Sequence, residues 1–334
     1  MRDGSILLRL VHEAMLQMDI DVSSIYRKCG VTLSHTEDKQ ARLEHNANTA
    51  FWQAAEEVTQ DPYIGLHIAE HIPLYKGQVL EYLFLSSASF GEGLQRGLSY
   101  QRLITDVAQS YLVIEEDEAC LVLDTKMGDK LSHHFSECTM VGMIQFFRSL
   151  TDEVFKAKRI EFIYPEPADL TDYKRIFNCE LAFNQSRNAI CFDAQVLQTK
   201  SPHAEPELLT LHEKVAGEHL AKLEQQDMVL EVKRVVGELL EQQEVSLDLV
   251  AEKLGITARN LRSTLALADT SFNQILSEYR CLLAKRLLVR TNESVEEIVY
   301  LTGFSEPSTF YRAFKRWTDM TPIEYRKLKK GSRH

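Results

Sequence analysis

The sequence predicts an α+β domain over residues 1–225, followed over 228–334 by an all-α domain of two helix-turn-helix units joined by a connecting helix. Three observations predict it. Apolar residues recur at steps of three and four along most of the chain, the mark of helices with one buried face. Between residues 111 and 192 that spacing gives way to short β-branched and aromatic runs around polar turns. After residue 246, helix starts and stops follow one another closely, twice over, and the basic charge gathers in the same region.

Length and composition set the frame. A chain of 334 residues suits two or three domains, and 44% hydrophobic with 26% charged residues is ordinary for a folded globular protein. The six cysteines, at 29, 120, 138, 179, 191 and 281, form no C-x-x-C pair and read as reduced thiols of a cytoplasmic protein. Asp3 and Gly4 precede an amphipathic helix rather than a secretory signal, and no run reaches the roughly 18 apolar residues of a membrane span. The net charge of −11 is unevenly divided. Residues 1–227 hold 21 Lys+Arg against 35 Asp+Glu, net −14, and residues 228–334 hold 17 against 14, net +3. From Arg259 onward the balance is 14 to 8, net +6, which suits phosphate contact there and repulsion of nucleic acid elsewhere.

In chain order, Ile6, Leu7, Leu10, Val11 and Ala14 line a first helix, and a second covers Ile25 to Cys29 and ends near Gly30. Asn46 to Val58 predicts another helix, stopped by Asp61-Pro62; Val79 to Leu85 is a further apolar segment; Ser89 with Glu92 offers a capping box. Tyr111–Ile114 and Ala119–Asp124 flank Glu115–Glu118 as a hairpin. Residues 131–150 are helical and Arg159–Tyr164 a strand, while Leu181–Phe183 and Ala189–Phe192 read as a second hairpin. Leu208, Leu211, Val215 and Leu223 lie along a helix that is expected to end in the polar run Glu224–Asp227, as linker, dimer surface or local packing.

The second domain opens on the stripe Val232, Val235, Val236, Leu239 and Leu240. Leu247, Val250 and Leu254 face inward on a helix ended by Gly255; Thr257 caps the next, whose outer side carries Arg259, Asn260, Arg262 and Ser263. The apolar stripe from Phe272 to Leu287 marks a connecting helix of about 19 residues, or about 28 Å. Ser294 and Glu297 form a capping box, Gly303 a turn, Ser305 a cap and Pro307 a first-turn proline. Phe310 and Phe314 then face inward, leaving Ser308, Thr309, Tyr311, Arg312 and Lys315 outward. Thr321, Pro322 and Glu324 start a last helix. Both units present a helix rich in hydrogen-bond donors, of the kind that enters a major groove, and arginine is the side chain suited to bidentate contact with guanine.

The run GFSEPSTFYRAFKRW followed by TP and YR, and upstream VAEKLGITARNLR, SF and A-x-x-LL, resemble the C-terminal signature of the AraC/XylS family of bacterial transcription regulators. Asp269 and Asp319 stand where the family usually has glycine, and Ser263 and Thr264 where relatives often have arginine. The patterns KGQVLEYLFLSS and GEGLQRGLSYQRL resemble the larger N-terminal domain of the ornithine-utilisation and virulence-regulator branch. The resemblance implies a regulator, more often an activator, that binds double-stranded promoter DNA and RNA polymerase, with a small-molecule effector or a homodimer formed through residues 1–225. Tyr82, Tyr100, Tyr111 and Phe146 are candidates to line an effector site, with core packing as the other reading.

Three patterns suggest chemistry. His67, Glu70 and His71 spell H-x-x-E-H, but Pro73 follows and no third metal ligand is evident. His133, His134, Glu137 and Cys138 have metal-compatible spacing and read as an exposed helix face. Gly91, Gly93 and Gly97 lack the lysine of a phosphate loop. No catalytic residue, metal or cofactor is therefore expected. An effector-independent DNA-binding protein, or a metal-dependent enzyme fused to a DNA-binding module, are the alternatives.

Overall fold

A computed structural model describes the protein except for residues 1, 33, 38–41, 107, 126–131, 242–243 and 332–334. The chain divides into two compact units, Met1–Leu220 and Ala221–His334.

The first unit begins with β1 (Arg2–Gly4), paired antiparallel with β2 (Arg42–Glu44), a two-stranded ribbon with no signal in the sequence. The same part of the chain forms α1 (Ser5–Gln17), α2 (Val22–Cys29), α3 (Ser34–Glu37), α4 (His45–Thr59), α5 (Ile64–His71), α6 (Val79–Ser86) and α7 (Phe90–Ser99). Local signals set their ends. The Asp21 carboxylate accepts from Ser24 N–H at 3.0 Å to start α2, Gly30 at φ 73° ends it, and Ser89 accepts from Glu92 N–H at 3.3 Å to start α7.

The sheet that follows has the order β3-β4-β7-β5-β6, from β3 (Ala108–Glu115), β4 (Glu118–Thr125), β5 (Ala157–Glu161), β6 (Glu180–Ala182) and β7 (Asn188–Asp193). The first expected hairpin is present, with Glu115 opposite Glu118 and Glu116 at φ 52° in the turn. The second is not. β6 pairs parallel with β5, and β7 lies between β4 and β5, antiparallel to both. Five consecutive residues of β7, Asn188–Phe192, are buried. Such a strand belongs in the middle of a sheet, not at the end of a ribbon.

Alternation along the strands sends Ala119, Leu121, Ile190 and Phe192 into the main core, with Phe147, Phe155 and Phe162. Cys120, Val122, Ala189 and Cys191 occupy the other face. There Cys120 and Cys191, opposite each other across β4 and β7, are joined as a disulfide. This corrects the expectation of six reduced thiols; a separation of 71 residues hides the pairing until the strands are aligned. Beside it the Arg159 guanidinium bridges Glu118 at 2.9 Å and Glu161 at 3.0 Å, and Arg187 donates to Glu161 at 2.9 Å. Burial works against the Glu161 charge, yet Arg187 and Arg159 hold its carboxyl below the usual range.

Helix α8 (His133–Leu150) and α9 (Thr171–Phe177) complete this unit's packing, and α10 (Pro206–Glu241) runs unbroken through Glu224–Asp227, where a stop was expected. Glutamate and glutamine are good helix formers, and the run contains neither glycine nor proline to end it.

The second unit has two small cores. Val232, Val236, Leu240, Val250, Leu261, Leu265 and Ile275 form one, and Ala284, Leu288, Ile298, Val299, Phe310 and Phe314 the other. The unit contains α11 (Leu247–Lys253), α12 (Ala258–Leu267), α13 (Phe272–Arg290), α14 (Val295–Leu301), α15 (Pro307–Thr318) and α16 (Pro322–Gly331). α13 serves both cores, Ile275 in the first and Ala284 and Leu288 in the second. It is the connecting helix read from the sequence, 19 residues long.

Candidate nucleic-acid interface and an apolar cavity

Each helix-turn-helix unit is set by its caps. Thr257 accepts from Asn260 N–H at 3.2 Å to start α12. Ser294 accepts from Glu297 N–H at 3.1 Å while Glu297 accepts from Ser294 N–H at 2.9 Å, the full capping box, and those bonds hold the Glu297 carboxyl below its usual range. Gly255 and Gly303 take φ 68° and 73° in the two turns. Asp269 and Asp319 adopt φ 52° and 58°, so aspartate takes the left-handed conformation where glycine is the family's residue. Ser305 does not cap α15: Glu306 is at the cap position without a side-chain bond, and Pro307 starts the helix. The proline needs no N–H partner there.

Burying Leu261 and Leu265 turns Arg259, Asn260, Arg262 and Ser263 of α12 to the exposed side. Burying Phe310, Ala313 and Phe314 does the same on α15 for Ser308, Thr309, Arg312 and Lys315, while Tyr311 is half-buried beside Phe310. The geometry at the base of α15 is anchored by Arg280 of α13. Its guanidinium donates to the Gly303 carbonyl at 2.7 Å and lies 4.6 Å from the centre of the Phe304 ring. The Trp317 indole donates to Ser277 at 2.9 Å. Arg326 and Lys330 of α16 donate to carbonyls near the end of α13: Arg326 to Leu288 at 3.2 Å and Lys330 to Thr291 at 2.8 Å. Cations there satisfy carbonyls that the helix leaves unpaired.

The first unit holds a cavity of about 250 Å³, walled by α1, α6, α7, α8 and residues of the sheet. Phe146, named from the sequence, lines it with Tyr75, Leu80, Phe84, Leu98 and Met143. Tyr82, Tyr100 and Tyr111 are not among its lining residues. Tyr82 stacks on His212, Tyr100 packs with Leu80 and Leu83, and Tyr111 is exposed on β3. Periodicity could mark these aromatics as half-buried, not which void they border.

The metal-like patterns resolve differently from expectation. His134, Glu137 and Cys138 are buried rather than on an exposed face. The Glu137 carboxylate accepts from the Tyr164 hydroxyl at 3.0 Å and from the Tyr173 hydroxyl, and His134 lies 3.5 Å from it and 3.2 Å from Glu56. Burial opposes the His134 charge, but Glu137 and Glu56 raise its pKa overall. Burial, helped by the Glu137 charge, pushes the Cys138 thiol up. His133, His134 and Glu137 have ligand atoms close enough to share an ion; both tyrosines bond the Oε1 of Glu137, while its buried Oε2 has no hydrogen-bond partner and lies 3.5 Å from His134. In the H-x-x-E-H run, His67 pairs with Asp61 at 2.6 Å and Asp172 at 3.2 Å, while Glu70 pairs with Arg175. No helix among the described residues is long and apolar enough to cross a membrane.

Two helix-turn-helix units on a shared connecting helix, behind a mixed-sheet domain, define the class: a helix-turn-helix DNA-binding transcription regulator. The particular family follows from comparison. The arabinose-binding N-terminal domain of AraC transcription regulators matches residues 20–201, and a helix-turn-helix domain matches residues 250–328, so the chain belongs to the AraC family. It is 27% identical over 279 residues to the ornithine utilization regulator of Pseudomonas aeruginosa, covering 82% of this chain and 81% of that one. It is 24% identical over 193 residues to the transcriptional regulator VirS of Mycobacterium tuberculosis, 57% of this chain and 56% of that. Among solved structures, the transcriptional regulator CdpR of Pseudomonas aeruginosa aligns over 96% of this chain and 97% of its own, at 19% identity and a TM-score of 0.48.

Proposed function

We propose that this regulator reads promoter DNA with α12 and α15 together, and that residues 1–225 control residues 228–334 through a small-molecule effector, dimerisation or both. One observation carries the reading: both helices that follow the turns expose a row of donors in the part of the chain where basic charge is concentrated. Arg312, with Arg259 or Arg262, is assigned to guanine edges, each worth about 1–3 kcal/mol of discrimination. Asn260, Ser263, Ser308, Thr309, Tyr311 and Lys315 supply further base or phosphate contacts. Two recognition helices on a spacer about 28 Å long can enter successive major grooves, about 34 Å apart on one DNA face. One chain then reads two adjacent half-sites. Activation through RNA polymerase in the cytoplasm is the mode that family membership favours.

The test is genome-wide capture of DNA fragments by the full-length protein beside Arg312→Ala at one salt concentration. The expected result is a few promoters with two half-sites about one helical turn apart for the wild type, and background binding alone for the variant. Equal promoter selectivity in the two proteins would refute the assignment of Arg312.

A further inference from the structure

We propose that the cavity of the N-terminal unit binds an uncharged, largely apolar small molecule of about ten non-hydrogen atoms, and that this molecule is the regulator's effector. The inference rests on the reading of residues 1–225 as a sensing domain and adds the chemical class of what is sensed.

Size comes first. An apolar cavity of about 150 Å³ holds benzene, so about 250 Å³ holds roughly ten non-hydrogen atoms. Zwitterionic ornithine and the sugar arabinose are near that size, so volume does not separate the classes.

Polarity does. Among the described residues, no Asp, Glu, Lys, Arg or His lines the cavity. Its three amide side chains are engaged elsewhere. The Gln101 amide donates to the Ser110 carbonyl at 3.1 Å and accepts from its N–H at 2.6 Å. Asn188 accepts from Ile163 N–H at 3.1 Å, and the Gln145 amide donates to the Ala69 carbonyl at 3.3 Å. An ammonium and a carboxylate would find no opposite charge here, and a ring of hydroxyls would lose water against a largely apolar wall. A ketone, ester or single alcohol asks for one hydrogen bond. The Tyr75 phenol in the wall, kept protonated by burial, is a donor of that kind. Arg9 of α1 has a buried Nε without a hydrogen-bond partner that could attract an anion, but Arg9 is not among the lining residues.

The wall also shows where the cavity can be filled. On α7, a side chain at Gly97 would meet the Phe84 ring at 2.7 Å. On α8, a Cβ added to Gly142, another lining residue, has no atom within 4 Å. Gly142→Leu therefore occupies open space and gains helix propensity, so it closes the site without opposing the fold.

The experiment is calorimetric titration of the full-length protein with n-butylbenzene and 2-nonanone, against L-ornithine, L-arabinose and nonanoate of similar size. Wild type, Gly142→Leu and Thr139→Met are compared, and retention of captured promoter DNA is measured on the same preparations. The expected result is one-to-one binding of the two uncharged compounds, weakened at least tenfold in either variant while the Gly142→Leu melting temperature stays equal or rises. Binding of ornithine, arabinose or nonanoate in preference to the uncharged pair overturns the ligand class. Binding of none of them overturns the inference altogether, leaving the cavity as a packing void. Promoter retention scores the regulator reading separately, since it can succeed or fail whatever the titration gives.

Discussion

Replacing Arg280 by methionine tests how the second helix-turn-helix unit is held to the connecting helix. The guanidinium donates to the Gly303 carbonyl at 2.7 Å, a charged bond worth about 1.5–3 kcal/mol. It also lies 4.6 Å from the Phe304 ring centre, a cation–π contact worth about 0.5–2 kcal/mol. Against these stands its Nε, buried without an acceptor, a cost of about 1–3 kcal/mol, and burial lowers the guanidinium's pKa for the same reason. The favourable contacts outweigh the orphaned atom, so Arg280→Met is expected to destabilise the second unit by about 1–2 kcal/mol. In a unit of this size that lowers the melting temperature by about 4–8 °C per kcal/mol. The chain's two tryptophans are Trp52 and Trp317, one in each unit, so a Trp52→Phe background leaves Trp317 fluorescence as a local reporter. A neutral or stabilising Arg280→Met, read by Trp317, would refute the reasoning and make the orphaned Nε the dominant effect.

Other perturbations have outcomes of calculable direction. Gly303→Ala puts a Cβ 2.5 Å from Leu240 Cδ2 at φ 73°, and should cost about 2–4 kcal/mol by the same fluorescence assay. Glu137→Leu strands the Tyr164 and Tyr173 hydroxyls and should destabilise the first unit by about 3–5 kcal/mol in calorimetry; a loss below about 1 kcal/mol would mean water replaces the carboxylate. His67 has a raised pKa: burial opposes its charge, but Asp61 and Asp172 prevail. A raised pKa gives stability that is full below the unfolded value of about 6.5 and is lost as pH rises through the folded one. His67→Gln should therefore cost more at pH 5.5 than at pH 8.5, and equal costs at the two pH values would remove the ion pair from the account. His133 and His134, whose own shifts oppose each other, are unchanged in that comparison.

What the sequence determined is what local chemistry encodes. The caps Thr257, Ser294 with Glu297, and Thr321 with Glu324, the turn glycines 255 and 303, and the aspartates in place of family glycines all act within a few residues of themselves. Apolar spacing then decided which side of α12 and α15 is buried, and so which side chains are left for DNA. Tertiary structure alone decided the rest. The parallel pairing of β6 with β5, the meeting of Cys120 with Cys191, and the burial of His134 and Glu137 beneath Tyr164 and Tyr173 join segments far apart in the chain. The cavity belongs to the same group. Its wall is assembled from helices and strands spread between Gly4 and Asn188. A void has no residue pattern of its own, because it is fixed by what surrounding side chains fail to fill once they have packed.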